Sequence, residues 1–557
     1  MEGPITPICN RAAAGFLTLL LAAGSSAALA RTERAGLESY VQARAASSAG
    51  ANRQASAGFT AALNAAPENE IVAAQALRHA AIAGDWPLAV RAARITEARG
   101  TIQHDARFLL LADAVRQRDW ARARTQLDAI ERDRTFAFAV PVLRAWVAVG
   151  SGQGDPITLL PAGGGVDPLT VAYVNEQRPF LLIATRRPEA LEAAQVIGGV
   201  GLRALRMRLA AAASLARRGH RTEAIALLQG DDPPTRAARA ALQAGRALPG
   251  AIDDARLGTA EVLQRIALDL NGQQIGGVAA TFASLATWLA PDNGVGWMIA
   301  AELAGQQDRR DSAIEMLSHV PADDPFVDMA RDQRIRLLVA NGGNEAALSA
   351  AQAAASASGA TASDQVRLGE VLMAMDRPRD AAAAFSRAIA TRGDDAAQPE
   401  WALWLQAGGA HDEADDWPQA RAALQRAYAL APAEPLVLNY LGYAQLERRE
   451  NMAEAERLVR EAHRLAPDNA AITDSLGWAL FLRGQRAEGL TLLEQAAEAS
   501  PADVEINEHL GDAYYQMGRR VEARFAWAAA RVHAEGADRT RLEAKIDTGL
   551  TPALAAR

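Results

Sequence analysis

Cysteine and lysine are almost absent from this sequence. Among its 557 residues, Cys9 is the only cysteine and Lys545 is the only lysine. The chain beyond residue 30 therefore has no thiol, which excludes cysteine nucleophiles, cysteine-ligated metals and disulfides there. The formal net charge is −8 and the sequence pI is near 5.7. A net acidic chain of this kind disfavours nucleic acid as the main partner.

Bulky side chains and strand-like patterns are also scarce. Aromatic residues make up 5% of the chain although hydrophobic residues make up 50%, and alanine supplies much of that fraction. Alanine has the highest helix propensity, and its small side chain lets neighbouring helices approach closely. No segment of useful length alternates apolar and polar residues as a half-buried strand would. We therefore expect an all-α fold with a thin core of closely packed helices.

The N-terminal segment, residues 1–30, has the features of a secretory signal peptide. A polar start containing Arg11 precedes an apolar run that ends at Leu21, and small residues follow up to Ala30. This order predicts cleavage after Ala30 and a mature, soluble periplasmic protein that begins at Arg31. An uncleaved membrane anchor is the alternative, but the apolar run is short for a bilayer span. The single cysteine precedes the apolar run, so the position that a lipid-modified cysteine would occupy has none.

A repeat of about 34 residues runs along most of the chain and is clearest in its C-terminal third. Two consecutive units, residues 470–503 and 504–537, both have Leu-Gly at places seven and eight and a small residue at place twenty. The same register continues backward through three more units, with one inserted residue near Asn451 and a short gap before Trp401. Those three units are residues 435–469, 401–434 and 362–395. Five successive matches predict a structural repeat.

The spacing of small and large residues indicates how each unit folds. Small residues at places eight and twenty, such as Gly511 and Ala523, allow two antiparallel helices to touch, while larger residues fill the space between neighbouring pairs. Gly477 is expected at the same kind of close contact. A proline at place thirty-two, such as Pro501, cannot continue a helix and ends the unit. The pattern predicts a right-handed superhelical solenoid of antiparallel helix-turn-helix repeats.

Breaks rich in glycine and proline divide the repeats into segments, because these residues bend or loosen a helical array. The predicted segments are a signal peptide at 1–30, degenerate repeats at 31–149, a degenerate helical middle at 150–259, further degenerate repeats at 260–361, the regular array at 362–537, and a C-terminal capping helix and tail at 538–557. Asp-Trp pairs at 85–86, 119–120 and 416–417 stand at one place in their units. The aspartate there suits an N-cap or first-turn position at the start of the second helix.

Two motifs carry a family resemblance, residues 474–480 (DSLGWAL) and residues 509–513 (HLGDA). They resemble the repeats of tetratricopeptide (TPR) proteins, and the chain looks most like the long exported TPR proteins of Gram-negative bacteria. Some of those are outer-membrane adaptors that bring cell-wall hydrolases to a periplasmic carboxyl-terminal processing protease. The resemblance implies a non-enzymatic scaffold that binds such protein partners in its concave groove. The alternative is a fixed structural subunit of an envelope polysaccharide or secretion complex.

No motif for catalysis, cofactor binding or metal binding is recognisable. The eight histidines include no HExxH pair, the spacing that puts two ligands on one helix face. The glycine-rich stretches at 150–152 and 163–165 are not followed by Lys-Ser/Thr, so they fail as phosphate loops. The run from His411 to Asp416 could collect a cation, but polar loop and helix-cap roles are favoured. We expect no enzymatic activity, no cofactor, no metal and no small-molecule substrate.

The resemblance also predicts where a partner binds, because the first helix of each TPR unit lines the concave surface. Places two, five, nine, twelve and thirteen of the C-terminal units should face that partner. The residues selected at these places are Asn439, Tyr443, Leu446, Asp474, Trp478, Phe481, Glu508, Asp512 and Tyr515. For Trp478 and Phe481, burial in the core is the alternative. Carboxylates without lysine or arginine favour a partner segment with apolar anchors and basic residues over an acidic C-terminus.

Overall fold

The computed structural model describes residues 34–161, 165–199, 201–392 and 399–554. Every regular element in these ranges is a helix, so the all-α expectation is confirmed for them. None of these helices combines the length and apolar character that a membrane crossing requires. The predicted signal peptide, with its cleavage site at Ala30, lies outside the described residues. The chain forms two compact units, Met1–Leu337 and Leu338–Arg557.

Helices joined by short turns make up the first unit, and each helix packs mainly on its neighbours along the chain. Helix α1 spans 34–48. The helices that follow it are α2 Asn52–Ala65, α3 Glu70–Ala83, α4 Trp86–Ala98, α5 Ala106–Gln117, α6 Trp120–Asp133, α7 Val140–Ser151, α8 Pro168–Ala184, α9 Ala190–Gln195, α10 Leu202–Arg217, α11 Arg221–Leu227, α12 Pro233–Gln243, α13 Ala255–Gly272, α14 Gly276–Leu289, α15 Gly294–Gln306, α16 Arg310–Leu317 and α17 Val327–Ala340. Two 3-10 helices, Ala137–Ala139 and Pro156–Leu159, flank α7.

The second unit contains the regular repeats. Its helices are α18 Asn344–Ala355, α19 Ala362–Ala374, α20 Pro378–Thr391, α21 Glu400–Glu413, α22 Trp417–Leu430, α23 Pro435–Glu447, α24 Met452–Leu465, α25 Ala470–Leu482, α26 Arg486–Ala499, α27 Val504–Gln516, α28 Arg520–His533 and α29 Gly536–Thr548. Each of the five predicted repeats is one helix pair, from α19 with α20 to α27 with α28, and the two helices of each pair pack together. The expected helix-turn-helix repeats are therefore confirmed.

Small residues stand where the two helices of a repeat touch. A Cβ atom on Gly477 of α25 would lie 3.0 Å from the carbonyl oxygen of Gly489 in α26. A Cβ on Gly511 of α27 would overlap the indole of Trp527, which is fully buried in α28. Both contacts are tighter than ordinary side-chain packing, so the predicted close approach is confirmed at these positions.

Aspartates begin the second helices of two early repeats. The carboxylates of Asp85 and Asp119 accept hydrogen bonds from backbone N–H groups in the first turns of α4 and α6. Asp416 likewise occupies the N-cap position of α22, as expected, but its side chain makes no capping hydrogen bond. Its carboxylate lies 3.6 Å from His411 Nδ1 instead. The capping interaction thus depends on which polar neighbour the turn presents.

In the first unit, α13 and α14 also pack against helices far from them in the chain. The ring of Phe282 in α14 lies 5.1 Å from that of Phe108 in α5, and the rings of Trp288 and Trp86 stack at 5.3 Å. Gly258 of α13 packs directly on the indole of the buried Trp146 in α7. Helices α13 and α14 therefore cover one face of α3, α5 and α7 within the first unit.

Candidate partner-binding groove

An open cavity of about 430 Å³ in the second unit is formed by the first helices of four consecutive repeats, α21, α23, α25 and α27. This is the surface on which the resemblance to TPR proteins predicts that a partner binds. The lining residues are Asp412, Glu413, Asp415, Asn439, Tyr440, Tyr443, Glu447, Arg448, Ala471, Asp474, Ser475, Asp503, Glu505 and Ile506. We call this cavity with its lining the acidic groove.

Negative charge dominates the acidic groove, which has seven carboxylates and one arginine. That arginine, Arg448, forms an ion pair with Asp412, and its guanidinium lies 4.4 Å from the centre of the Trp417 ring. Burial raises the pKa of Glu413 and of Glu447 above the ordinary value, and repulsion from neighbouring carboxylates raises both further. A nearby cation would relieve that repulsion, so the groove is built to favour positive charge.

Two tyrosines and an amide give the acidic groove apolar surface and hydrogen-bonding capacity. The Tyr443 hydroxyl donates a hydrogen bond to Glu505 Oε1 at 2.6 Å. The ring of Tyr440 is half-buried, and burial raises the pKa of its hydroxyl, so this group stays neutral. Within the described part of the chain, Asn439 Oδ1 and Asp474 Oδ1 are buried acceptors that receive no hydrogen bond. The lining thus combines aromatic edges with acceptors, as a surface for cationic donors requires.

A buried histidine lies directly beneath the acidic groove. His509 Nδ1 is 2.8 Å from Asp474 Oδ2, and the imidazole stacks on the indole of Trp478 with ring centres 4.6 Å apart. Burial alone would lower the pKa of His509, but the Asp474 carboxylate outweighs it and raises the pKa to about 9. The imidazolium is therefore charged at neutral pH. Its other nitrogen lies 3.4 Å from the Tyr443 hydroxyl, which couples this charge to the groove surface.

The structure divides the nine predicted groove residues into three groups of three. Asn439, Tyr443 and Asp474 line the acidic groove. Leu446, Trp478 and Phe481 are buried in the packing between repeats, where the Trp478 and Phe481 rings stack at 5.9 Å. Burial, the alternative stated for these two aromatic residues, is what the structure shows.

The last three predicted residues, Glu508, Asp512 and Tyr515, pack toward the C-terminal helix rather than into the cavity. Lys545 of α29 is fully buried, and its Nζ lies 2.6 Å from Glu508 Oε1 and 2.8 Å from Asp512 Oδ1. The Tyr515 ring lies 5.6 Å from the ring of Trp527 in α28 and packs in the same apolar cluster as Leu542 of α29. These contacts hold α29 on the last repeat, so the three side chains belong to the cap of the array.

Sequence reasoning did not select several carboxylates of the acidic groove as partner-binding residues. Glu413 and Glu447 stand one repeat apart at the last place of α21 and α23, and Glu505 lies in the first turn of α27. The recurrence of glutamate at one place of the repeat was the available signal. Asp412, Glu413 and Asp415 belong to the acidic run considered above as a cation site. Among the described residues, no cluster of histidine, cysteine and carboxylate side chains has the arrangement of a metal site.

The first unit has cavities of its own with a different character. One of about 830 Å³ lies beside α8 to α10 and mixes arginines with glutamates. Another, of about 390 Å³, lies between α3 to α5 and α14 and is lined mainly by apolar side chains. Neither cavity concentrates charge of one sign as the acidic groove does.

Comparisons with known proteins bear on the repeats. No protein-family model matches the chain. A stretch of 77 residues is 35% identical to the TPR repeat-containing protein PA4667 of Pseudomonas aeruginosa. This match covers 14% of the chain and 13% of that relative, so the shared segment spans only a small part of either protein.

Several solved structures of helical-repeat proteins are also similar. The TPR protein TTC0263 of Thermus thermophilus is 23% identical, with a TM-score of 0.29, and the match covers 33% of this chain and 98% of that one. The Cut9 and Hcn1 complex is 13% identical with a TM-score of 0.36, covering 92% and 96%. YrrB, described as a TPR protein with an unusual peptide-binding site, is 15% identical with a TM-score of 0.22, covering 39% and 92%. At these TM-scores, the likenesses add nothing about binding or activity.

The described residues define a helical-repeat protein built from helix pairs that stack on their neighbours. The repeat length of about 34 residues and the small residues at the helix contacts are typical of tetratricopeptide repeats, and a stretch of 77 residues is similar to a TPR repeat-containing protein. Such a fold is consistent with protein–protein interaction.

Proposed function

We propose that the protein is a non-enzymatic scaffold that binds a protein partner in the acidic groove. The observation that supports this most strongly is the charge of the groove, where seven carboxylates face one arginine that is already paired with Asp412. Four helices contribute to the lining, which gives an extended segment a continuous surface to follow. The partner is a segment that carries arginine or lysine together with apolar anchors.

The same lining argues against recognition of an acidic C-terminus. A terminal carboxylate needs unpaired cationic donors, and Arg448 is the only basic residue of the groove. Its guanidinium is held by Asp412 and lies against Trp417, so it is not presented to a ligand. The Tyr440 and Tyr443 rings would instead receive the aliphatic parts of basic side chains or a guanidinium plane.

We further propose that this scaffold is exported and works in the periplasm, with a periplasmic protease and cell-wall hydrolases as partners. This rests on the signal-like segment at 1–30 and on the resemblance to exported TPR adaptors. N-terminal sequencing of the exported protein should find Arg31 as the first residue. An intact segment 1–30 in a membrane fraction would replace this proposal with a membrane anchor.

A fixed subunit of an envelope polysaccharide or secretion complex is the alternative role. Photo-crosslinking in cells from an unnatural amino acid at Ala471, at the rim of the groove, separates the two. An exchangeable scaffold should yield proteases or wall hydrolases, whereas a structural brace should yield the same single complex in every condition.

Calorimetry with synthetic peptides tests the groove directly. A peptide with arginines and aromatic anchors should bind the purified protein, and a peptide of the same length with glutamates should not. Joint Glu447→Gln and Glu505→Gln changes remove two groove charges and should weaken binding of the basic peptide about tenfold, because about 1.4 kcal/mol corresponds to one factor of ten. Both changes keep the side-chain size, so the fold should persist.

The matched control changes Glu488 and Glu498 to glutamine on α26, outside the groove lining. These substitutions alter the net charge equally and should leave binding within about twofold of the original. Equal weakening by both pairs would mean that only net charge matters, and binding unaffected by the groove pair would move the site elsewhere.

A further inference from the structure

The last repeat exposes an apolar stripe on the outer side of α28. Val521, Phe525 and Val532 are 65%, 73% and 70% exposed, and Ala528 lies between them. Their spacing of four, seven and eleven residues from Val521 places all four on one helix face. Large apolar side chains aligned in this way indicate a contact surface, unlike scattered exposed residues.

The repeat fold does not require this stripe, because the preceding repeat lacks it. Helix α26 aligns with α28 through its buried residues Gly489, Leu493 and Ala496. The residues of α26 at the places of the stripe are Ala487, Thr491, Glu494 and Glu498. The outer face of α28 therefore has apolar side chains at places where α26 has mainly polar and acidic ones.

Arginines accompany the stripe, while acidic residues are absent from it. Arg524 and Arg531 lie beside Phe525 and Val532 on the same side of α28. The Arg524 guanidinium donates a hydrogen bond to the carbonyl of Ile546 at 3.1 Å, which holds it at the edge of the stripe. Stripe and arginines together form the type of segment that the acidic groove is expected to bind.

The stripe cannot enter the groove of its own chain. The opposite face of α28, with Ala523, Trp527 and Ala530, is buried against α27 and α29. Helix α27 itself supplies Glu505 and Ile506 to the groove lining. The stripe thus points away from the helix that contributes to the groove, and only the groove of another molecule is accessible to it.

We propose that the α28 stripe of one molecule docks in the acidic groove of a second copy. The inference rests on the proposed function, because it uses the groove as a receptor for basic and apolar segments. Charge complementarity selects this arrangement: arginines meet carboxylates, whereas two stripes facing each other would bring the arginines of both copies together. Phe525 lies between these arginines and packs against the tyrosine edges of the groove.

This contact is heterologous, because the stripe and the groove are different surfaces. A molecule that donates its stripe to one neighbour keeps its groove for another, so association continues head to tail. Ion pairs that are partly exposed weaken as salt rises, since the screening length falls from about 10 Å at 0.1 M to about 3 Å at 1 M. Assembly therefore depends on protein concentration and decreases with ionic strength.

Sedimentation velocity of the full chain over a wide concentration range provides the test. The wild-type protein should form dimers and longer species that dissociate at high salt. Phe525→Glu places a charge in the stripe at an exposed site and should weaken association at least tenfold. Thr491→Glu, at the matched place of α26, should leave association unchanged. The groove variant with Glu447→Gln and Glu505→Gln should also lose association.

Mixing the two defective variants distinguishes this arrangement from others. The Phe525→Glu chain retains its groove and the groove variant retains its stripe, so an equimolar mixture should form a 1:1 dimer that does not extend. A mixture that stays monomeric overturns the proposal. Association that Phe525→Glu abolishes but the groove variant retains also overturns it and indicates stripe-to-stripe pairing.

Failure of this inference can be separated from failure of the groove itself. A wild-type chain that stays monomeric while still binding the basic peptide overturns self-docking and leaves the proposed function standing. A chain that does neither overturns both. Co-sedimentation of the monomer with phosphatidylglycerol vesicles, lost in Phe525→Glu, would show that the stripe binds an anionic lipid surface and would likewise overturn self-docking.

Discussion

At the scale of single residues, the charged imidazole beneath the groove links stability to pH. The folded pKa of His509 is about 9, above the value of about 6.5 expected in an unfolded chain. The folded state thus binds this proton more tightly, so the stabilisation is complete below about pH 6.5 and is lost as pH rises through about 9.

We predict that the second unit loses stability between about pH 6.5 and pH 9. The loss should not exceed about 3.5 kcal/mol, because each pKa unit corresponds to about 1.4 kcal/mol. Urea unfolding followed by hydrogen exchange in α25 and α27 at several pH values measures it. The His509→Gln variant should lack this component, and parallel pH profiles for the two proteins would contradict the role given to the Asp474 pair.

The close helix contact at Gly477 leads to a second prediction. Gly477→Leu should destabilise the second unit by about 1–3 kcal/mol, because the new side chain meets the Gly489 carbonyl and Leu493. The control is Gly359→Leu, since a side chain at that exposed position meets no atom within 4 Å. Thermal unfolding compares the two variants. Equal melting temperatures would show that the helices can separate without cost.

At the scale of helices, α29 is held to the array by buried charge. Burial opposes ionisation of Glu508, but hydrogen bonds from Arg541 and Lys545 outweigh it and lower the pKa of this carboxyl. Asp512 also accepts a hydrogen bond from Trp527 Nε1 at 2.8 Å. The cap therefore closes the last repeat through paired charges as well as through the buried side chain of Leu542.

Removal of the lysine from this network should be costly. We predict that Lys545→Met destabilises the second unit by about 3 kcal/mol, because two buried carboxylates lose a cation. Arg539→Met is the comparison, since Arg539 lies on the same helix in an exposed pair with Glu543, and such pairs contribute about 0–1 kcal/mol. If both changes have the same effect on urea unfolding, the buried pairing does not hold the cap.

Local patterns in the sequence carry much of this element-scale structure. The helix pairs and the contacts at Gly477 and Gly511 depend on residues close together in the chain, so the spacing could predict them. The partners of Glu508 and Asp512 lie on α29, about one repeat away. The spacing of residues within α27 does not indicate these contacts. The repeat pattern alone could therefore not show which of the predicted groove residues line the cavity and which contact α29.

At the scale of the whole chain, the two units differ in what covers the first helices of their repeats. In the second unit, the first helices of the repeats line an open cavity. In the first unit, α13 and α14 pack on α3, α5 and α7. This packing joins segments more than a hundred residues apart, and the periodic sequence gives no signal for it because the repeat describes only neighbours.

The different packing predicts different responses to overpacking. Gly258→Leu would place a side chain on the indole of Trp146, where none fits, and it should destabilise the first unit by about 3 kcal/mol or more. Hydrogen exchange should accelerate in α5, α7 and α13 together, because α13 packs on both α5 and α7. Acceleration confined to α13 would show that its docking does not stabilise the other helices.

The buried lysine of the cap can report how often α29 detaches from the last repeat. An acylating reagent reaches the Lys545 amine only when α29 detaches, because that side chain has no exposed surface in the closed state. No other lysine competes for the reagent, so the rate at which this one peptide gains mass gives the frequency of cap opening. Labelling in the presence of a groove ligand then shows whether a bound ligand slows the detachment of α29 at the C-terminal end of the array.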